Sequence, residues 1–102
     1  MFGLDIMKQV QQMQEKMTKL QDELGSKTLS ASSGGGMVTV TCNGKQELLS
    51  ITIDKTLMGD DDTAMLEDLV LTAVNEALRQ SRELMGQEMR QLTGGISIPG
   101  LS

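Results

Sequence analysis

Between Met37 and Asp54 apolar and polar positions alternate with a period of two. Val38, Val40 and Cys42 fall on one face of a first arm and Thr39 and Thr41 on the other, while Leu49, Ile51 and Ile53 alternate with Ser50 and Thr52 in a second arm. Period two is the repeat of an extended strand, whose successive side chains point to opposite faces. Asn43-Gly44 lies between the arms and suits the positive backbone angles of a two-residue type I′ turn. The segment therefore predicts a β-hairpin with one apolar face, and a lone hairpin is marginal in water without cover from other elements. Thr28 to Ser33, with Leu29 and Ala31 facing one way, predicts a further strand that reaches the hairpin through Gly34-Gly35-Gly36. A glycine-rich loop can cradle phosphate, but that motif needs a following helix that opens with Lys and Ser or Thr. Here a strand follows, which favours a flexible connection.

The flanking segments change period. From about Leu4 to Leu24 the apolar residues recur at Ile6, Val10, Met13, Met17, Leu20 and Leu24, the four-three alternation of a coiled-coil seam. The rest of that circumference is Gln, Lys, Glu and Asp, with Glu15 and Lys19 spaced to support a helix. Such a helix extends about 30 Å, more than three short strands need for cover, so part of it should project. Gly25 is placed to end it. A second helix is predicted from about Thr63 to Leu92. Its first half carries a broad stripe, Leu66, Leu69, Val70, Leu71, Ala73, Val74, Ala77 and Leu78, suited to lying on a sheet. Its second half thins to Leu84, Met85, Met89 and Leu92, a narrow seam that should leave the globule and rest against another helix. Gly86 within that half marks either a bend or a close approach. Gly59-Asp60-Asp61-Asp62 lacks the spaced ligands of a calcium loop and reads as an acidic entry to the helix N-terminus. Gly94-Gly95 ends the helix, and the tail Ile96 to Leu101 either docks back or stays mobile.

The expected architecture is α+β in one domain: a first helix over 1–25, a three-stranded antiparallel sheet over 28–54, a second long helix over 60–93 and a tail over 94–102. A chain of 102 residues can bury only a small core, which leaves association with another chain open from the start. The nine methionines suit gap-filling in helix seams, or adaptable contact surfaces. No apolar run is long enough to span a bilayer and no signal peptide is evident, so a cytoplasmic protein is expected.

Chemistry is thinly provided. The chain has no His, Trp or Tyr, which removes the commonest general base and metal ligand. Cys42 stands alone in a strand with no basic neighbour to hold a thiolate, so a buried, inert thiol is expected. No catalytic residue, metal site or cofactor is predicted, and Asp22-Glu23 and Glu67-Asp68 read as solvated helix faces. Phe2 is the sole aromatic residue, which leaves no stacking platform for bases. The net charge of −5 argues against a protein dominated by phosphate binding, though a local basic face remains possible. At about 100° per residue, Arg79, Arg82 and Arg90 fall within roughly 80° of one another, and so do Lys8, Lys16 and Lys19 on the first helix. Asp5, Glu15 and Asp22 intrude on the lysines and Glu83 on the arginines. On these residues alone, a solvated face is favoured over a phosphate-binding one, with both open.

Taken together, several blocks resemble the YbaB/EbfC family of bacterial nucleoid-associated DNA-binding proteins across essentially the whole chain. They are the Met-, Gln- and Lys-rich first helix, Gly34 to Gly44, Ile51-Thr-Ile-Asp54, Leu66 to Leu78 and the closing Gly94 to Leu101. The resemblance implies a homodimer in which the sheets and the inner helix halves share a core while helical arms protrude like tweezers. It implies binding of double-stranded DNA with little sequence preference, association with the nucleoid and with gene regulation, and no membrane or small-molecule substrate. Carried onto this chain, the arms are the helices bearing Lys8, Lys16, Lys19, Arg79, Arg82 and Arg90. The alternative is a dimeric helical adaptor whose Met-lined seams take a partner protein.

Overall fold

In a computed structural model, which describes residues 2–59 and 62–94, the order is helix, three strands, helix. Helix α1 spans Phe2–Ser26, strands β1, β2 and β3 span Thr28–Ser33, Val38–Asn43 and Leu48–Ile53, and helix α2 spans Thr63–Leu92. The sheet is antiparallel in the order β1-β2-β3, so the strand whose apolar side chains are all buried is central. A tight turn at Gly34–Gly36 joins β1 to β2, with φ of 60°, 69° and 94° at the three glycines, a left-handed path closed to most side chains. A short 3-10 turn, Lys55–Gly59, follows β3 and buries Leu57 against the core. Asp54 anchors it by accepting hydrogen bonds from Thr56 N and Oγ1 at 2.9 and 2.8 Å. Those bonds lower the carboxyl pKa of Asp54.

The core is built by close approach. Val38, Val40 and Cys42 have no exposed surface, and the residues of α2 that lie over them are Ala73, Ala77 and Ser81, one every four positions. Small side chains let the helix backbone come down onto the sheet, so near that the Cys42 thiol donates to the Ala77 carbonyl at 3.3 Å. Burial raises the pKa of that thiol. Ser33 Oγ, at the end of β1, donates to the Leu69 carbonyl at 2.6 Å. The broad stripe predicted for α2 is thus divided. Its small members meet the sheet, Leu66, Leu69, Val70 and Val74 flank them half-buried, and Leu71 is 59% exposed.

Four details depart from the sequence pattern. The hairpin loop is not a two-residue type I′ turn: Gln46 N donates to Asn43 O, and the left-handed residue is Gln46 at φ 63°. A turn followed by one left-handed residue is the three-residue loop of a bulged hairpin. A register shift sets Leu48 rather than Leu49 opposite Cys42, which breaks the simple alternation in β3. Helix α1 runs through Gly25 to Ser26. Gly86 lies in unbroken helix, and an added Cβ there would meet only the Arg90 guanidinium at 3.5 Å, so no close approach within the described residues requires it. Asp62 caps α2 by accepting from Met65 N at 2.9 Å. Asp60, Asp61, Gly95 and the tail from Ile96 to Leu101 lie outside the described residues.

The molecule is long. Its extents are 71 × 23 × 16 Å and its radius of gyration is 19.2 Å, against about 13 Å for a compact chain of this length. Helix α2, the longer of the two at 30 residues, accounts for only about 45 Å. The outer half of α1 therefore carries the long axis beyond the body, with Leu4, Ile6, Met7, Val10 and Met13 all exposed. Its inner end is seated, with Leu20 and Leu24 buried. Replacing Val40 by Ala, at the centre of the buried face of β2, should lower stability by about 2 kcal/mol and leave the denaturant slope unchanged. Urea unfolding checks this, and a midpoint equal to that of the parent would show that the core lies elsewhere.

Candidate nucleic-acid interface

The structure divides the six candidate cations by helix and by company. Lys8, Lys16 and Lys19 stand on the exposed surface of α1, over eleven residues or about 16 Å of rise. Arg79, Arg82 and Arg90 occupy the same length of α2, likewise exposed. The lysines lie mainly on the projecting stretch of α1. The arginines lie from the middle of α2 to its last turn, where Leu84, Met85, Met89 and Leu92 are half-buried. The two helices meet near the seated end of α1, where Lys27 Nζ and Glu88 Oε1 are 2.7 Å apart.

Among the described residues, Lys8, Lys16, Lys19, Arg82 and Arg90 close no ion pair, and the predicted Glu15–Lys19 contact does not form one. Arg79 differs. Its Nε donates to Glu76 Oε2 at 2.9 Å, its terminal nitrogens reach Glu76 Oε1 and Glu83 Oε1, and the two carboxylates hold it on the helix surface. This clasp raises the pKa of Arg79 and lowers that of Glu76. Glu83 is evident in the sequence as an intruding charge. Glu76, three positions before Arg79, completes the clasp, and that spacing is equally visible along a helix.

Charge is partitioned along the chain. Residues 2–19 hold three cations and two carboxylates, and residues 79–92 hold three cations and two carboxylates, so each stretch is +1 and the remaining residues sum to −7 of the net −5. Over its whole length each helix is net negative, α1 by one once Asp22 and Glu23 are included and α2 by two once Glu67, Asp68 and Glu76 are, so the positive charge is local to those two stretches. Among the described residues no cluster of three or more His, Cys, Asp or Glu is placed to hold a metal ion, and no helix is long and apolar enough to cross a membrane.

A residue that the sequence pattern did not single out ties α2 to the tip of the β2–β3 hairpin. Ser81, fully buried, donates from Oγ to Asn43 O at 2.8 Å and accepts from Gln46 N at 3.0 Å. The signal available was its position four residues after Ala77 in the small-residue series.

Comparison with known proteins agrees with this architecture. A solved structure of an uncharacterized protein from Helicobacter pylori superposes with a TM-score of 0.81 over 87% of this chain and 94% of that one, at 24% identity, and so shares the fold. A nucleoid-associated protein of Desulforamulus reducens is 55% identical over 96 residues, covering 94% of this chain and 91% of the relative. One from Syntrophobacter fumaroxidans is 48% identical over 99 residues, covering 97% and 90%. Residues 3–96 match the YbaB/EbfC DNA-binding family, and with a helix–sheet–helix fold, near-complete coverage and close relatives in agreement, the chain belongs to that family.

Proposed function

We propose that the protein is a homodimer that binds double-stranded DNA through its helical arms, with low sequence specificity, as a nucleoid-associated protein that influences nucleoid organisation and gene regulation. Binding is carried by backbone electrostatics, without catalysis or a cofactor. The observation that carries this reading is that Lys8, Lys16, Lys19, Arg82 and Arg90 close no ion pair among the described residues and stand on two locally positive stretches, 2–19 and 79–92, of an acidic chain. Family membership and the names of the relatives support the choice of DNA as partner. Lysine and arginine side chains neutralise phosphates and release counterions, a gain that does not depend on base sequence. With Phe2 the sole aromatic residue, the chain offers little for stacking on splayed bases, which favours duplex over single strands.

Dimerisation is supported by what the protomer leaves bare. Helix α2 lies over β1 and β2, so β3 extends past its cover with Leu48, Leu49 and Ile51 exposed. Beside them Ile53, Leu66, Val70, Leu71 and Val74 line one shallow apolar groove. Burying an apolar surface of this kind is the main favourable term in association, and a second copy offers the same surface in return. The adaptor reading rests on a different patch, the apolar residues of outer α1. A partner protein retained after nuclease treatment would favour it over DNA binding.

Titration of labelled duplexes at several salt concentrations tests the main reading. Neutralising Arg82 and Arg90 together should weaken binding to all sequences alike and lower the salt slope by about two units for each subunit whose arm contacts the duplex. No binding at low salt, or an unchanged slope in that variant, would sink it. Arg79 is already satisfied by two carboxylates, so Arg79→Gln should cost less than either of the other arginines, and the pair Glu76→Gln and Glu83→Gln should strengthen binding by freeing it. Equal losses for all three arginines would contradict the clasp. The same pairing sets a pH dependence. Glu76 has a lowered pKa, so its contribution is present above the ordinary glutamate value of about 4.3 and is lost as pH falls through the lowered one. In Arg79→Gln the Glu76 titration followed by NMR should move up toward the ordinary range, and an unmoved midpoint would rule the pairing out.

A further inference from the structure

We propose that the tip of the β2–β3 hairpin is the positioning element that sets the direction of α1 relative to α2, and thereby whether the lysines of one helix and the arginines of the other engage the same duplex. The inference rests on the DNA-binding reading above and goes beyond it by naming residues that carry no charge.

Both helices converge on this tip. The backbone N–H of Gly44 donates at 2.8 Å to the Leu24 carbonyl, which also accepts from Lys27 N at 3.3 Å where α1 ends, so the tip is tied to the last turn of the helix. A Cβ at Gly44 would stand 2.8 Å from that oxygen and 2.9 Å from the Leu24 side chain, so glycine is required here for close approach rather than for a left-handed turn. On the other side Ser81 of α2 ties the tip twice, donating to Asn43 O and accepting from Gln46 N. The left-handed Gln46 is the residue that presents this N–H to Ser81. The tip is also braced internally: Asn43 Oδ1 accepts from Lys45 N and Glu47 N at 2.9 and 3.1 Å, and Nδ2 donates to Glu47 Oε1 at 2.9 Å. An internally braced block bolted to both helices transmits orientation from one to the other.

Leverage makes this junction consequential. Beyond Leu20 the apolar seam of α1 is largely bare, so its direction is fixed at the seated end. Sixteen residues separate Leu24 from Lys8, an arm of about 24 Å, so a tilt of about 15° at Leu24 moves Lys8 by about 6 Å. That exceeds hydrogen-bond reach and approaches two base-pair rises along the duplex axis. A small change at the tip therefore disengages lysines far from it.

The test is a charge-by-junction cycle on the full-length protein, using one labelled duplex and reading the salt slope. Neutralising Lys8, Lys16 and Lys19 together in the parent should lower the slope by about two to three units. Ser81→Ala and Gly44→Ala, which retain every cation, should each lower the slope by a similar amount, and adding the lysine changes to either should then have little further effect. Gly44→Ala acts at the contact with α1 and Ser81→Ala at the contact with α2, so the same loss of slope from both locates the effect in the junction that joins them. A merely destabilised protein loses active fraction but keeps the slope of its folded molecules. Junction variants with the parental slope, or lysine changes that cost the same in every background, would overturn the inference while the DNA-binding reading stands. A parent that binds no duplex at low salt would instead overturn that reading, and the inference with it.

Discussion

The contact on which the other features depend is the close seating of α2 against the central strand. Ala73, Ala77 and Ser81 bring the helix backbone within hydrogen-bonding range of the Cys42 thiol, and the apolar face of β2 is covered completely. Such proximity has a geometric consequence. A helix about 10 Å wide that is centred over β1 and β2 does not reach the outer strand, and its larger residues, Leu66, Val70, Leu71 and Val74, are displaced to the flank. The bare apolar surface of the protomer thus follows from the same small side chains that make its core tight. A chain this short gains little stability from its own core, and a second copy laid over β3 would supply what is missing.

Ser81 links this packing to the placement of charge. It is the polar member of the small-residue series, and its hydroxyl finds both an acceptor and a donor in the hairpin tip. The tip in turn holds the last turn of α1 through Gly44. Orientation therefore passes from core to arm through backbone groups, while charge is carried by side chains farther out. A net charge of −5 is compatible with the proposed phosphate contacts because Lys8, Lys16, Lys19, Arg82 and Arg90 close no ion pair among the described residues and stand on two stretches that are each locally +1. Arg79 shows the limit of reading charge from position alone, for its neighbours Glu76 and Glu83 already satisfy it.

Much of the fold was legible because the signals were local and repeated. The period-two run, the four-three seam and the capping Asp62 with Gly94 beyond Leu92 place the strands and helices; α2 spans Thr63–Leu92, the range its pattern predicts. What was not legible depended on distant partners. Asn43-Gly44 carries the local chemistry of a type I′ turn, yet its glycine answers to Leu24, twenty positions earlier, and the left-handed residue is Gln46. Leu49 follows the alternation in sequence, but the bulge opposite Cys42 removes it from the register. In α2 the pattern shows which residues are apolar without showing that only the small ones can reach the sheet. For the candidate interface, the angular grouping of the cations was legible and their company was not, because an ion pair depends on rotamers as well as spacing.

The central claim is that DNA lies against the arms and not against the body. Acetylation footprinting of the lysines, with and without duplex, tests it most directly, because Lys8, Lys16 and Lys19 stand on α1 whereas Lys55 lies beyond β3, and all four are exposed. The account predicts that duplex protects Lys8, Lys16 and Lys19 while Lys55 reacts as in the free protein. Protection of Lys55 with the three arm lysines left fully reactive would contradict it.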